Sequence, residues 1–253
     1  MKVGYAVLYE DGTLVISKEH TILPKSIYKD FAEFEDTYIP WRCESYYEKI
    51  KSVQILNKIK LFTVYGWFYH CKNLTALLDF QNLDVSDCED FSYLFRYCKS
   101  LTDIASLSNW NVSNGKDFSS MFEFCKSLQD LKGLQNWNVS NGTDFSYMFS
   151  YCEFLQDLKG LQNWDISNGI NFSRIFFGCK GLIVSTALEN WNMEHAKNIN
   201  GMFFSCFNLK EIHLSDTLQF LNRKMFINCN ANLRIHWKGK IYIYSDLMEY
   251  QEF

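Results

Sequence analysis

Nine cysteines give this sequence its most reactive side chains, and most of them recur at a fixed spacing. Thiols form disulfides and bind metal ions, but the sequence has no C-x-x-C pair of the kind that such sites use. The recurring cysteines share an apolar pattern with Phe and Met, so we interpret them as buried, reduced thiols that fill a core. They follow one another every 27 residues as Cys71, Cys98, Cys125, Cys152, Cys179 and Cys206.

Histidine is the other residue type that could bind a metal ion or move protons. Five histidines are present, and none pairs with another at metal-ligand spacing; they are His20, His70, His195, His213 and His236. No glycine-rich phosphate loop, G-x-S-x-G or H-E-x-x-H motif occurs. His195 beside Glu194 is the one acid–base pair in an interruption of the repeat, and we interpret it as part of a turn. The sequence therefore predicts no catalytic residues, no metal site, no cofactor and no enzymatic activity.

Two rows of charged residues follow the cysteine spacing and are candidates for binding another protein. The basic row contains Lys99 and Lys126, with Lys72 and Lys180, and Glu153 interrupts it. The acidic row is Asp103, Asp130, Asp157 and Glu211, and Lys132 and Lys159 lie two residues beyond two of the acids. Two interpretations stay open, a solvated face and a charge-patterned binding surface. A lysine row could also follow a phosphate backbone, but a formal net charge of −4 disfavours nucleic acid.

Aromatic residues supply two further candidate surfaces. The residue before the cysteine is Tyr97, Phe124 or Tyr151 in three successive repeats. These rings could anchor a partner protein or pack between turns of the chain, and the sequence does not separate the two. A second row could be a platform on which carbohydrate stacks, although its apolar pattern favours the core. That row is Trp110, Trp137, Trp164 and Trp191.

The repeat unit that must position these residues has two halves. In "DFSSMFEFC", Phe118, Met121, Phe122 and Cys125 occupy i, i+3, i+4 and i+7, the spacing of one helical face, and Asp117 precedes it as a candidate cap. The second half alternates apolar and polar residues up to Val139 and then closes in Ser-Asn-Gly. It predicts a short extended segment and a turn in which Gly142 adopts positive φ. Neither half could bury its apolar face alone, so the units must stack.

These units predict an α/β leucine-rich-repeat solenoid of short helices and short parallel strands, with a β-hairpin cap at each end. We expect a hairpin cap over residues 1–46, with alternation around Asp11-Gly12, and the repeat array over 47–214. Residues 25–46 remain ambiguous between a short helix and irregular chain. Over 215–253 the cysteine spacing shortens to 23 residues, and a hairpin around Lys238-Gly239 precedes a short helix capped by Ser245.

The 253 residues, 47% of them hydrophobic, exclude a disordered chain. No window has the roughly 18 apolar residues of a membrane span, so we expect no membrane insertion. The N-terminus lacks the features of a signal peptide, which predicts a cytoplasmic protein, whereas a leader removed earlier would place it at the cell surface. We expect a monomer.

The phrase "MF..C.SL..L..L.NW..SN" resembles the leucine-rich repeat of BspA-type bacterial surface proteins. The opening "YAVLYEDGTLVI" and the closing "HWKGKIYIYSDLMEY" resemble segments that flank such arrays in gut-bacterial and prophage-encoded members. The resemblance covers nearly the whole chain. It implies a leucine-rich-repeat fold and, from the habit of the family, adhesion at the cell surface.

Three hypotheses for function follow. The first is a non-enzymatic repeat scaffold that binds another protein, as an intracellular inhibitor of a host system encoded by a mobile element or phage. The second is an adhesion module on a bacterial surface or a phage particle. The third is a carbohydrate-binding module that uses the tryptophans, which requires exposed indole rings.

Overall fold

The computed structural model describes residues 2–19, 30–35 and 39–249. Over these residues the repeats wind into a β-solenoid of about eight turns. Each 27-residue repeat forms one coil, so equivalent residues of successive repeats stack on one another. The predicted solenoid is therefore confirmed, while the content of each coil differs from the prediction.

The first coils are closed by a sheet with strand order β3-β1-β2-β4-β6. Strands β1 and β2 form the predicted antiparallel hairpin around Asp11-Gly12, and β2 then pairs in parallel with β4 of the first coil. A two-stranded parallel pair, β5 with β7, continues the stack. The bounds are β1 Lys2–Leu8, β2 Thr13–Ser17, β3 Asp30–Glu35, β4 Ser52–Ile55, β5 Ile59–Lys60, β6 Ala76–Leu78 and β7 Leu83–Asp84.

The segment left ambiguous by the sequence contains a strand and two short helices in its described part, while residues 25–29 and 36–38 lie outside the described residues. A 3-10 helix spans Pro40–Arg42 and helix α1 spans Glu44–Tyr47. The buried Trp41 donates its indole N–H to the carbonyl of Trp67 at 2.7 Å. It covers the first coil of the core.

A four-stranded sheet of order β11-β10-β9-β8 ends the array. Strands β8, β9 and β10 are parallel, and β10 with β11 forms the predicted hairpin around Lys238-Gly239. Helix α2 begins at Tyr244, so Ser245 lies inside it and the predicted capping role is wrong; residues 250–253 lie outside the described residues. The bounds are β8 Val184–Leu188, β9 Glu211–Leu214, β10 Arg234–Trp237, β11 Lys240–Ile243 and α2 Tyr244–Glu249.

The predicted helix in each repeat is wrong. Residues 117–125 and their equivalents, which we name the turn segments, form successive turns whose alternate amides donate to the next coil at 2.8–2.9 Å. Ser120 and Phe124 adopt left-handed φ of 54° and 62°, and a residue every four positions does so in neighbouring coils. An apolar spacing of i, i+3, i+4 and i+7 suits turns of period four as well as a helix, which is why the pattern misled. The coil-to-coil donors are Phe118, Ser120, Phe122 and Phe124.

The aspartate that was predicted to cap a helix stabilises a turn instead. The carboxylate of Asp117 accepts the amide of Ser119 at 2.8 Å, which is an Asx turn where a helix cap was predicted. The predicted strand of the second half is present only toward the ends of the array. In the three central coils a 3-10 helix stands in that half instead, over Ala105–Leu107, Lys132–Leu134 and Lys159–Leu161.

Gly142 does not adopt the positive φ that we predicted. The reason for glycine is a close approach, because a Cβ there would lie 2.4 Å from Cζ of Phe145. Gly160 is constrained in a similar way, since its Cβ would lie 2.1 Å from the carbonyl oxygen of Leu131 in the preceding coil. These glycines let aromatic rings and neighbouring coils pack directly on the backbone.

Columns of stacked side chains fill the core along the solenoid. Phe122 and Phe149 stack with ring centroids 5.7 Å apart, and Phe149 and Phe176 follow at 5.8 Å. Indole and thiol groups close hydrogen bonds between coils: Trp137 donates to the carbonyl of Leu107 at 2.9 Å, and Cys125 donates to that of Phe95 at 3.2 Å. The core is therefore continuous and belongs to no single repeat.

Truncation of one ring in this column should destabilise the whole array. Phe149→Ala removes a fully buried ring that contacts both neighbouring coils, so we expect the free energy of unfolding to fall by about 3–5 kcal/mol. Lys159→Ala, an exposed position in the same coil, should change it by less than about 0.5 kcal/mol. Denaturant unfolding of both variants checks this, and equal losses would contradict the assignment of inner and outer columns.

A methyl group added at Gly160 should separate two coils. The clash with the Leu131 carbonyl involves backbone, which cannot rotate away, so Gly160→Ala should lower the free energy of unfolding by about 1–3 kcal/mol. Thermal melts against Lys159→Ala provide the comparison. An unchanged or raised Tm for Gly160→Ala would show that the coils are not in contact at this position.

Candidate protein-binding surface

The aromatic residues before the cysteines form one continuous stack on the surface. Tyr97 and Phe124 stack with ring centroids 4.4 Å apart and planes within 6°, and Phe124 and Tyr151 follow at 4.5 Å. His70 packs on the end of the stack, 4.4 Å from Tyr97 and tilted by 44° to it. All four side chains are half-buried. Their ring faces cover one another, so the stack presents ring edges to solvent.

Every residue of this stack has a left-handed backbone. The φ angles are 65° at His70, 66° at Tyr97, 62° at Phe124 and 58° at Tyr151. Bulky side chains rarely adopt this conformation, which costs of order 1–2 kcal/mol relative to the right-handed region. Later coils place smaller residues in the same slot, Gly178, Ser205 and Asn228. The backbone at this slot therefore requires left-handed φ in every coil, but it does not require an aromatic side chain.

A second row of rings lies four residues earlier, and arginines lie against it. Tyr93 and Tyr147 also have positive φ, and the guanidinium of Arg96 sits 5.2 Å from the ring centroid of Tyr93 and 5.0 Å from that of Tyr97. Arg174 contacts Tyr147 through its hydroxyl and lies 5.4 Å from its ring centroid. We name these stacked rings, flanking tyrosines and arginines the aromatic stripe: His70, Tyr93, Tyr97, Phe124, Tyr147, Tyr151, Arg96 and Arg174.

Carboxylates pair with three of the four lysines in the predicted row. Glu153, which interrupts it, pairs with Lys126 at 2.7 Å and with Lys180 at 3.2 Å. The hydrogen bond from Lys126 holds the pKa of Glu153 below its usual range. Lys72 pairs with Glu48 at 2.6 Å, and Lys99 lies 5.9 Å from the ring centroid of Tyr97. The row is therefore a mixed-charge network.

The acidic row forms part of the local turns in three coils. Asp103, Asp130 and Asp157 accept backbone amides two residues later, at 2.8–3.1 Å, and so begin the three 3-10 helices. Lys132 is exposed and pairs with Asp130 at 3.1 Å, and Lys159 is exposed as well. The fourth member, Glu211, lies apart from these turns on strand β9.

The tryptophan row is buried, with relative exposures of 1–5%. Each indole donates to a carbonyl one coil earlier, as Trp164 does to Leu134 at 2.9 Å. These four rings therefore offer no face on which carbohydrate could stack. The hypothesis that they form a sugar platform is wrong, because it requires exposed indoles.

The cysteine row is buried and free of disulfides, as predicted. Burial raises the pKa of these thiols well above the ordinary value, which leaves them protonated and unreactive at neutral pH. His195 occupies the turn position that Asn168 occupies one coil earlier. The Asn168 amide donates to the carbonyl of Ser140, and Nδ1 of His195 lies 3.0 Å from the equivalent carbonyl of Ser167.

Sequence reasoning missed one cluster, formed by Glu211, His213 and His236. His213 and His236 are paired across the parallel strands β9 and β10, and their rings stack at 4.0 Å. They stand 23 residues apart, which is the spacing of the shortened last repeat. Applying that spacing to the histidines would have found the pair.

Comparison with known families identifies the repeats. A family model described as "Mycoplasma protein of unknown function, DUF285" matches residues 62–182 and, in a second match, residues 132–235. Together the matches span well over half of the chain. The chain belongs to the DUF285 family. This assignment confirms the resemblance to BspA-type leucine-rich repeats. No curated protein matches this DUF285 chain.

Two solved structures are similar to this DUF285 protein. A leucine-rich cell surface protein of Faecalibacterium prausnitzii A2-165 is 14% identical over 95% of both chains, with a TM-score of 0.25. A leucine-rich-repeat protein of Eubacterium ventriosum ATCC 27560 is 12% identical, with 87% of this chain and 82% of that chain covered and a TM-score of 0.24.

No helix in the described part of this DUF285 chain has the length and apolarity needed to cross a bilayer.

The thiols should separate into classes in a native titration. Cys43 is exposed, and burial raises the pKa of Cys229 to about 12, so a thiol reagent at neutral pH should modify Cys43 rapidly and Cys229 slowly. Each of the nine cysteines should react once the chain is unfolded. Mass mapping of the modified residues checks this, and rapid native modification of Cys125 or Cys152 would contradict the buried row.

Proposed function

We propose that this DUF285 chain is a non-enzymatic scaffold that binds another protein through the aromatic stripe. The observation that carries the proposal is the run of large rings at left-handed positions. The fold accepts Gly, Ser or Asn in the same slot, so the backbone does not account for Tyr97, Phe124 and Tyr151.

The energies of the stack support the same conclusion. A bulky residue at positive φ costs roughly 1–2 kcal/mol. One aromatic pair contributes roughly 0.5–1.5 kcal/mol beyond the area it buries. The two terms are of similar size, so stacking roughly offsets the backbone cost, and the remaining contribution to folding is the apolar area that each half-buried ring removes from water. Rings that are already ordered in the free protein are well suited to binding, because association then loses little entropy in ordering them.

The composition of the aromatic stripe fits a protein partner. Tyrosine and arginine are the residues most enriched in the energetic centres of protein interfaces. The charge of Arg96 is paired with Glu123 at 2.6 Å, so the surface is mainly aromatic and Arg174 supplies its positive charge. A carbohydrate would need exposed ring faces, and here the faces are covered by one another. A nucleic acid would need a row of unpaired cations, whereas Lys72 pairs with Glu48 and both Lys126 and Lys180 pair with Glu153.

Two settings suit such a scaffold. In the first, which we favoured from the sequence, the chain inhibits a host protein inside the cell as a product of a mobile element or phage. In the second it is an adhesion module at a bacterial surface or on a phage particle. The identity of the bound protein decides between them.

Affinity capture with three matched baits tests the proposal. The first bait is the wild-type chain, and the second carries Tyr97→Asn and Tyr151→Asn, which remove rings and leave a residue type that tolerates left-handed φ. The third carries Lys132→Glu and Lys159→Glu on the exposed side of the 3-10 helices. Cytosolic and surface fractions are run in parallel. We expect one protein to be retained by the first and third baits and lost from the second.

Purified partner then gives the magnitude. Loss of two anchor rings should weaken binding by about 30-fold or more, which corresponds to roughly 2 kcal/mol. Melting curves of the aromatic variant should match those of the wild type, so that lost binding is not lost folding. Retention of the partner by the aromatic variant and its loss from the lysine variant would move the binding surface to the charged row.

A further inference from the structure

The cluster on the C-terminal sheet brings together three side chains that bind transition metals. Glu211 and His213 alternate on strand β9 and so share one face, and His236 lies directly across from His213 on β10. Their side chains are 23–27% exposed, so the cluster is partly shielded and still accessible to an ion. It lies at the end of the array, apart from the aromatic stripe.

Two of the three separations between donor atoms are close to those that a tetrahedral ion requires. Oε1 of Glu211 lies 3.3 Å from Nε2 of His213 and 3.0 Å from Nε2 of His236. Zinc ligands at about 2.0–2.1 Å in a tetrahedron are separated from one another by about 3.3 Å. One donor atom from each of the three residues falls within 4.8 Å of the others.

Two charged side chains lie beside the donors, and one of them orients Glu211. Arg234 donates to Oε2 of Glu211 at 3.3 Å, which leaves Oε1 directed at the imidazoles. Oε2 of Glu189 lies 3.8 Å from Nδ1 of His213, within ion-pair range but too far for a hydrogen bond. Nε2 of His213 forms a hydrogen bond with Oε1 of Glu211 at 3.3 Å, and a zinc ion would take the place of the proton that these two atoms share.

His236 carries a nitrogen that this network does not satisfy. Its Nε2 is buried and has no aligned hydrogen-bond partner, although Oε1 of Glu211 is 3.0 Å away. A buried polar atom without a partner is costly unless another group or an ion completes it. The nitrogen lies within ion-pair distance of Glu211 but makes no aligned hydrogen bond with it.

We propose that Glu211, His213 and His236 form a zinc-binding site with a fourth coordination position open to solvent. Two imidazoles and one carboxylate form a donor set that suits Zn²⁺, whereas Ca²⁺ and Mg²⁺ require oxygen donors. Three protein ligands leave a position for water or for a side chain of a partner. The two imidazole planes are parallel within 6°, so binding requires the rings to rotate about χ2, a torsion with a broad minimum.

Calorimetric titration with ZnCl₂ tests the site on untagged, chelator-treated protein in a buffer that does not bind zinc. We expect one zinc ion per chain. His213→Ala, His236→Ala and Glu211→Gln should each weaken zinc binding at least tenfold. His195→Ala and Cys43→Ser serve as controls, because they remove an exposed imidazole and the exposed thiol without touching the cluster. Both should leave the affinity unchanged.

Two further readouts guard against unfolded variants and adventitious binding. Zinc should raise the Tm of the wild-type chain and leave that of Glu211→Gln nearly unchanged at the same concentration, since binding to the folded state stabilises it. Cobalt in place of zinc should give the visible spectrum of a tetrahedral ion in the wild type and not in His213→Ala/His236→Ala. The proposal is overturned if the wild type binds zinc no more tightly than the double variant His213→Ala/His236→Ala, or if Cys43→Ser removes the binding.

Discussion

Hydrogen bonds between the turn segments of successive coils are the interaction on which the rest of this structure depends. In residues 118–125 the amides alternate: one donates within its own coil and the next donates to the following coil. No amide of the segment is left without an acceptor. This alternation requires a residue with left-handed φ at every fourth position. The backbone therefore fixes the direction of each side chain and the positions that adopt a strained φ.

Other features of the coil follow from that geometry. Coils held by backbone ladders come close enough for rings to stack, and a Cβ at Gly142 or Gly160 would then meet a ring or a carbonyl. Backbone carbonyls outside the coil-to-coil ladder accept from side chains one coil later: Cys125, Trp137 and Asn141 each donate to one. The 27-residue period is therefore a hydrogen-bonding period as much as a hydrophobic one.

Residue columns were predictable from the sequence, whereas the conformation between them was not. Equal spacing placed Cys125 and Phe149 in one core, and alternation around Asp11-Gly12 and Lys238-Gly239 located both hairpins. The helix was mispredicted because apolar residues three and four apart satisfy a helix and a series of turns equally. A helix and a series of turns differ in the φ angle of Phe124, which is left-handed in the structure. A bulky residue such as Phe rarely adopts that conformation, so the residue type did not indicate it.

The same limit applies to the surfaces. Tyr97, Phe124 and Tyr151 were visible as a column, but only coordinates show that their faces cover one another. Glu211 was visible as an acidic residue, while its histidine neighbours were hidden because the last repeat is shorter by four residues. When the length of a repeat changes, different residues face one another in neighbouring coils. A search of the sequence at a single repeat spacing therefore does not find such a pair.

Amide hydrogen exchange resolved by residue tests the coil-to-coil ladder most directly. Ser120 and Phe122 donate to the next coil, whereas Ser119 donates only to the side chain of Asp117. We predict that Ser120 and Phe122 exchange only through global unfolding, with the free energy found by denaturation, and that Ser119 exchanges orders of magnitude faster. Exchange of Ser120 and Phe122 at the rate of Ser119, in a protein that remains folded, would contradict the coil-to-coil ladder.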